Sequence, residues 1–501
     1  MISGQHFIAG RWQGRPLAHN QSFNPATNRA LDWHFAEADL ADLAQITELA
    51  HSAFQEYRRV SPSSRAAFLN CIADEIEALG STLVEVVNLE TALPQARVEN
   101  ERTRTCNQLR LFADNLLSQD MEIRDPALPD RKPLPRPALR LTQIPLGPVV
   151  VFGASNFPLA FSTAGGDTAA ALAAGCPVIF KGHNAHPATC ELIARAIDKA
   201  IRHCAMPEGV FTLVHARQHA FSESLIAQPK VKAVAFTGSV KLGMHFAGII
   251  QQRPEPIPFY GELGSQNPVF ALPDYLQDNL PAFADALIQS VTMGQGQFCT
   301  RPGLVFVVAD TTYPGLCQAL AERLANCSSG PMLTAKIAQG YRHQSAAWQQ
   351  CAGVELLAQG QGEETGCHGR PRLFASDAEA FLQHPELREE IFGPASLLVR
   401  CKDVTQMQML ATTLAGQLTA TLYASETEWK AQSVLLQELE LKAGRIIAGQ
   451  MPTGVEVCHS MQHGGPFPAS SDSRYTAVGS QAIRRFLRPL CYQNLSDSLS
   501  E

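Results

Sequence analysis

Thirteen cysteines are spread along the 501 residues, and one of them stands in a run suited to close approach: Cys299, in GQGQFCTRPG from Gly294 to Gly303. The thiolate form of cysteine is a nucleophile, and flanking glycines let a substrate reach it while its main-chain N–H points at a developing oxyanion. Free cysteine is equally at home as a small core residue, so this segment alone leaves both readings open. Glu262, in FYGELGSQNPVF (259–270), ends an apolar strand at a glycine turn. A carboxylate there is placed like a general base, and an exposed loop glutamate is the plainer alternative. Asn156, in FGASNFPLAFSTAGGD, offers an uncharged side-chain donor to an oxyanion, or simply caps a turn or helix.

Other residues could hold phosphate or sugar. FTGSVKLG puts Gly238 and Gly243 after a strand and at the opening of a helix expected over 239–250. Glycines there admit a phosphate to the helix N-terminus, although a tight turn needs no ligand. The spacing is neither G-x-G-x-x-G nor a Walker A loop. Lys181 ends the strand PVIFK, within reach of a ribose or phosphate if it is not merely a surface lysine. Metal ligation finds no support: Cys367-His368 and Cys458-His459, with nearby His463, lack the usual ligand spacings, and no C-x-x-C occurs. A cysteine–histidine hydrolase is conceivable at Cys299, but no pattern nominates a partner among 15 histidines.

The elements that must position these residues alternate. Leu43, Ile46, Ala50, Ala53, Phe54 and Tyr57 fall at helical spacing, as do Phe68, Leu69, Ile72, Ile76 and Leu79. A proline-rich, charged stretch from Asp125 to Ala138 reads as an extended excursion or linker. Beyond it come short apolar runs at 148–153, 177–181, 211–215 and 231–238, separated by helix-length segments; Ile193, Ile197, Ala200, Ile201 and Cys204 share one face. That alternation predicts a doubly wound parallel sheet, with ligands beyond the carboxyl ends of its strands. A second set (268–272, 303–308, 395–400, 418–424, 444–449) predicts a second α/β unit. The tail SDSLSE is expected to fray.

With 47 acidic against 40 basic residues, the net charge of −7 argues against a nucleic-acid partner. Scattered, unpaired cysteines suit a reducing cytoplasm. MISGQHFIAGRW does not read as a signal peptide. The uncharged run Leu141–Gly166 is broken by Pro145, Pro148 and Pro158, so no membrane span is expected.

GASNFP (153–158), FTGSVKLG (236–243), ELGSQNP (262–268), GQFCTRPGL (296–304) and EEIFGP (389–394) occur in one chain in a familiar order. Together they resemble the aldehyde dehydrogenase superfamily essentially end to end. ETALPQAR, NQLRLFA, GQLTATLY, PTGVEVCHSMQHGGPFPA and SDSRYTAVG are similar to its bacterial branch of 2-oxoglutarate semialdehyde (2,5-dioxopentanoate) and fatty aldehyde dehydrogenases. The resemblance implies a Rossmann-like NAD(P)-binding domain at 1–122 and 145–264, a catalytic domain at 265–464, and an oligomerisation arm at 123–144 and 482–499. It implies Cys299 as nucleophile, Glu262 as base for the deacylating water, and Asn156 with the Cys299 N–H as oxyanion hole. For NAD or NADP, Lys181 and Glu390 would hold ribose hydroxyls, Phe392 would flank the nicotinamide ribose, and Gly238, Ser239 and Gly243 would line the pyrophosphate region.

Some positions depart from the branch. ELGSQNP stands where the wider family has E-L-G-G-K-N. Ala448 and Met451 replace an asparagine and a tryptophan before PTGVEV, which predicts a reshaped substrate tunnel. Asn184 stands where a small hydroxyl residue could serve a 2′-phosphate, and HARQHAF after His215 is not expected to supply an arginine for one. The favoured substrate is 2-oxoglutarate semialdehyde, whose distal carboxylate needs a cation; Arg301, Arg110 and Arg474 are candidates, each also readable as a salt-bridge residue. Alternatives are a medium- or long-chain aliphatic aldehyde, a non-redox cysteine thioester hydrolase or esterase, or a non-catalytic protein of the same fold. A cytoplasmic homodimer or homotetramer is expected.

Overall fold

The computed structural model describes residues 2–118 and 122–495. Two seven-stranded sheets organise the chain. In the first, the strands run in the order Phe259–Glu262, Ala233–Thr237, Val149–Phe152, Val178–Lys181 and Phe211–Val214, all parallel. The hairpin His6–Ile8/Arg11–Gln13 closes that edge antiparallel, a pair of strands too short to stand out in the sequence. Val149–Phe152 and Phe211–Val214 are buried at every position because helices cover both faces of the sheet.

Chain order reverses beside Val149–Phe152. Successive strands move away to one side through Val178 and Phe211, and then the chain crosses back to Ala233–Thr237. The crevice at this switch point is where a doubly wound sheet binds its ligand. The loops leaving these two strands carry Gly153–Asn156 and Gly238–Ser239.

The second sheet runs Val354–Gln359, Arg372–Asp377, Ala395–Cys401, Leu304–Val308, Val269–Ala271, Gln417–Tyr423 and Ala443–Ala448, parallel except for its first strand. The two strands at 354–377 were not anticipated. Both α/β units are therefore doubly wound, as the alternation predicts.

The proline-rich stretch is exposed and joins Ile123–Asp125 to Leu139–Pro145 within an antiparallel sheet completed by Leu487–Gln493. Residues 482–486, expected in an arm, belong instead to the 3-10 helix Ser480–Phe486, where Ala482, Ile483 and Phe486 are buried in the core. Residues 496–499 of that arm and the tail SDSLSE lie outside the described residues. Among the described residues no helix is long and apolar enough to cross a membrane.

One helix matters to the site from outside the sheets. Gln95–Ser118 buries Val98, Glu101, Thr105, Leu109 and Phe112 along one side. Arg97 and Arg104, spaced on the turns beside Glu101, are thereby carried to the edge of the catalytic loop.

Candidate active site

Cys299 sits on the loop between the helix Pro273–Thr292 and the strand Leu304–Val308. Gly296 has φ 64°, and a Cβ there would stand 2.3 Å from the Gly393 carbonyl oxygen, so this loop lies directly on EEIFGP. On its other side Asn267, itself left-handed at φ 48°, donates from Nδ2 to the carbonyls of Cys299 (2.8 Å) and Arg301 (3.0 Å). Gln417 Oε1 accepts from the Gln266 and Asn267 main-chain N–H groups at 2.7 and 3.0 Å and lies 2.9 Å from the Ser265 hydroxyl. The serine that departs from E-L-G-G-K-N is thus part of the frame holding the nucleophile loop.

The reacting groups converge from three segments. His463 Nε2 lies 3.1 Å from Glu262 Oε1 and 3.6 Å from Cys299 Sγ, and ligand atoms of all three residues fall within 4.8 Å of one another. Glu262 Oε2 is buried and has no hydrogen-bond partner among the described residues, leaving one carboxylate oxygen for a water. Burial works to raise the Glu262 pKa, but the His463 charge and hydrogen bond bring it below its ordinary value. Burial, and then the neighbouring Glu262 charge, hold the Cys299 thiol well above its usual pKa, with Arg104 opposing them. Asn156 Nδ2 donates to the Gln297 carbonyl at 2.9 Å, which orients the amide and leaves its second N–H free. The Cys299 main-chain N–H makes no hydrogen bond with the described residues.

His463 was not nominated by spacing. Its neighbours Cys458 and His459 do not join it, and Cys367 is buried beside Asn28. The link between His463 and Glu262 spans 201 positions, beyond the reach of any local pattern.

A cavity of about 610 Å³ leads from Cys299 and Glu262 along the switch point. Lys181, Asn184, Gly238, Ser239, Glu390 and Phe392 line it. Gly243 does not: it lies in the first turn of the helix Val240–Gln251, where a Cβ would meet Leu263 at 2.2 Å. Its role is close packing under the cavity floor. Arg217 also lines the cavity, its main-chain N–H held by Glu37 at 2.6 Å. HARQHAF thus does bring an arginine to the edge of the cavity, although Arg217 is exposed and its guanidinium donates to the carbonyls of His19 and Gln21 at 3.5 and 3.3 Å.

The donor set fits a dinucleotide. The Lys181 ammonium, pushed by burial down to about 8, bonds only the neutral Asn184 amide, and Ser239 caps the N-terminus of a helix that opens at the cavity. Glu390, its pKa pushed up to about 7 by burial, offers carboxylate oxygens that accept hydrogen bonds from hydroxyls.

A second cavity of about 180 Å³ meets Cys299 from the other side, lined by Arg97, Asn100, Glu101, Arg104, Phe157, Phe161, Phe298, Thr300, Gly454 and Val455. None of the three arginines expected at a substrate carboxylate is here. Arg301 is 1% exposed and spends its guanidinium on the carbonyls of Ile391 (2.8 Å) and Ala395. Arg110 pairs with Asp74 and Glu77, and Arg474 with Asp472, at the surface. Met451 packs against the core of the second unit and Ala448 is exposed, so neither lines this cavity.

A doubly wound sheet whose switch-point cavity ends at a half-buried thiol and a carboxylate is the arrangement that a cysteine-dependent, nucleotide-linked dehydrogenase requires. The sequence model of the aldehyde dehydrogenase family matches residues 12–484. The chain belongs to that family and is an NAD(P)-dependent enzyme. Alpha-ketoglutaric semialdehyde dehydrogenase 2 of Azospirillum brasilense is 47% identical over 504 residues, covering 99% of this chain and 95% of that protein. Alpha-ketoglutaric semialdehyde dehydrogenase of Acinetobacter baylyi is 42% identical, with the same coverage. Among solved structures, aldehyde dehydrogenase C of Pseudomonas syringae, determined as a mutant with NAD+ and octanal, has a TM-score of 0.84 at 20% identity, covering 99% of this chain and 98% of its own. An NADP-dependent enzyme of E. coli has a TM-score of 0.83 at 21% identity, covering 98% of each chain. At such identity the structural likeness establishes the fold alone.

Proposed function

We propose that the enzyme oxidises 2-oxoglutarate semialdehyde (2,5-dioxopentanoate) to 2-oxoglutarate. The observation that carries this reading is near-full-length similarity, at 47% and 42% identity, to two proteins named for that substrate. A small cationic cavity at the thiol supports it, since a long aliphatic aldehyde would call for an extended apolar tunnel.

In this mechanism the Cys299 thiol loses its proton to solvent, and the thiolate adds to the aldehyde carbon while the carbonyl electrons move onto oxygen. The free Asn156 N–H and the Cys299 N–H donate to that oxyanion, each worth roughly 2.7–4 kcal/mol. A bound nicotinamide supplies the hydride acceptor. Asn156 and Cys299 hold the collapsing alkoxide in place while hydride departs and a thioester remains on the sulfur. Glu262 Oε2 then takes a proton from water, whose oxygen attacks the thioester carbon, and the Cys299 sulfur leaves as thiolate. With the dinucleotide bound, Lys181 and Glu390 would hold ribose hydroxyls, Phe392 would flank the nicotinamide ribose, and Gly238 and Ser239 would face the pyrophosphate. Lys181 and Asn184, with no carboxylate bonded to Lys181 among the described residues, favour a 2′-phosphate and hence NADP.

The assembly reading keeps residues 1–122 and 145–264 as the cofactor domain and 265–464 as the catalytic domain. The antiparallel sheet formed by 123–144 and 487–493 is the oligomerisation arm of a homodimer or homotetramer; exposed Ile123, Leu128 and Leu134 support this. Thirteen free cysteines support a cytoplasmic setting. Light scattering would read the mass.

Initial rates at 340 nm test the substrate. The panel sets 2,5-dioxopentanoate against succinate semialdehyde, glutaraldehyde and decanal, each with NAD and NADP. A preference of tenfold or more in kcat/KM for the oxo acid, about 1.4 kcal/mol, is expected. A preference for decanal would overturn the reading.

A further inference from the structure

Two arginines reach the small cavity beside Cys299, and their surroundings differ. Arg97 Nη2 lies 3.5 Å from Glu101 Oε2, and its guanidinium sits 4.4 Å from the Phe157 ring centre and 4.9 Å from that of Phe298. Glu101 is anchored in turn, its Oε1 accepting the main-chain N–H groups of Leu159 and Ala160 at 2.8 and 2.9 Å. The Arg97 charge is therefore compensated by a fixed carboxylate.

Arg104 has no carboxylate in contact among the described residues, although the Glu101 charge acts on it from a distance. Its guanidinium lies 5.4 Å from the Phe157 ring centre and 5.0 Å from that of Phe161, and it makes no ion pair or hydrogen bond with the described residues. Ring faces attract a cation but accept none of a guanidinium's five fork-like N–H donors. Half-buried cations that leave these donors open are costly unless something completes them. Within the cavity the open Arg104 donors call for an acceptor, and a carboxylate of the substrate would supply it.

Resting on the substrate reading above, we propose that Arg104 is the binding site for the distal carboxylate of the semialdehyde. The planar guanidinium matches a carboxylate in bidentate geometry. The rings of Phe157 and Phe161 lie against the guanidinium, and Asn100 lines the same cavity. With one end of the short chain fixed at Arg104 and the other at Cys299, the aldehyde carbon is presented to the sulfur. Arg301, Arg110 and Arg474 cannot serve, because their donors are already committed away from this cavity.

The test is a ratio measured within one protein: kcat/KM for 2,5-dioxopentanoate divided by kcat/KM for pentanal, an uncharged aldehyde of equal chain length. Arg104 also favours the Cys299 thiolate, so its loss slows both substrates. The ratio cancels that shared effect, together with any inactive fraction. R104M is expected to lower the ratio about thirtyfold or more, chiefly through KM for the oxo acid, and R104K to retain part of it. Should R104M not fold, R104Q carries the same comparison. If wild type prefers the oxo acid and the variant keeps that preference, the Arg104 assignment is wrong and the substrate reading stands. If wild type shows no preference for the oxo acid over pentanal, the substrate reading fails and this site fails with it.

Discussion

His463 Nε2 lies 3.1 Å from Glu262 Oε1, and this contact divides the two carboxylate oxygens of Glu262 between separate tasks. Oε1 is tied to the imidazole, and Oε2 is buried and unpaired among the described residues. One oxygen keeps the base ionised and oriented; the other remains for water.

Cysteine and glutamate serve different half-reactions, so their variants should fail differently. Cys299→Ala is expected to abolish hydride transfer. Glu262→Gln should release one equivalent of NAD(P)H as a burst and then stall as a thioester, with steady-state turnover down about 10²- to 10⁴-fold. Rapid-quench mass spectrometry of the trapped acyl-enzyme checks it. Full steady-state turnover of Glu262→Gln would mean that another group is the base.

Cys299 reactivity should rise with pH, since burial and then the Glu262 charge hold the thiol in its protonated form at neutrality. Removing that charge makes the thiolate less costly. The pH profile of iodoacetamide alkylation should therefore move to lower pH in Glu262→Gln. A shift to higher pH would mean that the carboxylate does not act on the thiol as a neighbouring charge.

Replacing His463 by asparagine should act on Glu262 in the opposite sense. His463 lowers the Glu262 pKa, so its loss raises it, and the base stays protonated to a higher pH. The acid limb of the kcat profile is expected to move upward, with kcat at neutrality falling about tenfold to a hundredfold. An unmoved acid limb would leave His463 a packing residue.

Nucleotide affinity should carry a step near neutrality. Glu390, pushed by burial up to about 7, is neutral below that pH and ionised above it. Because the carboxylate accepts hydroxyl hydrogen bonds better than the acid does, NAD(P) should bind more tightly as pH rises through about 7. Titration calorimetry of wild type should show this step and Glu390→Gln should lack it.

Arg301 should behave as a structural residue. Its guanidinium is buried and satisfies the carbonyls of Ile391 and Ala395, so Arg301→Met leaves them unpaired, at a cost of about 1–3 kcal/mol. A lower thermal midpoint with an unchanged oxo-acid to pentanal ratio is expected. A collapsed ratio would return Arg301 to the substrate site.

What the sequence determined by itself was everything carried by local pattern. Alternating apolar runs announced both sheets; local pattern left Cys299, Glu262, Asn156 and Lys181 open, and the family resemblance of their motifs, with that of EEIFGP for Glu390, singled out the residues that the fold brings to the cavity. It was weaker where strands were short, as at His6–Ile8, or where a glycine's purpose depended on its neighbours. Gly243 could line a phosphate or pack under Leu263, and only the position of Leu263 decides. Tertiary structure alone decided which histidine and which arginines face the thiol. His463 reaches Glu262 across 201 positions, while Arg104 comes from a helix outside both sheets. A charged side chain is equally at home on a surface or in a cleft. Arg301, two residues from the nucleophile, turns into the core to satisfy carbonyls, whereas Arg104, far away in sequence, is left facing the cavity. Proximity along the chain constrains the backbone, but the direction of a long side chain is set by whichever distant groups fill its donors.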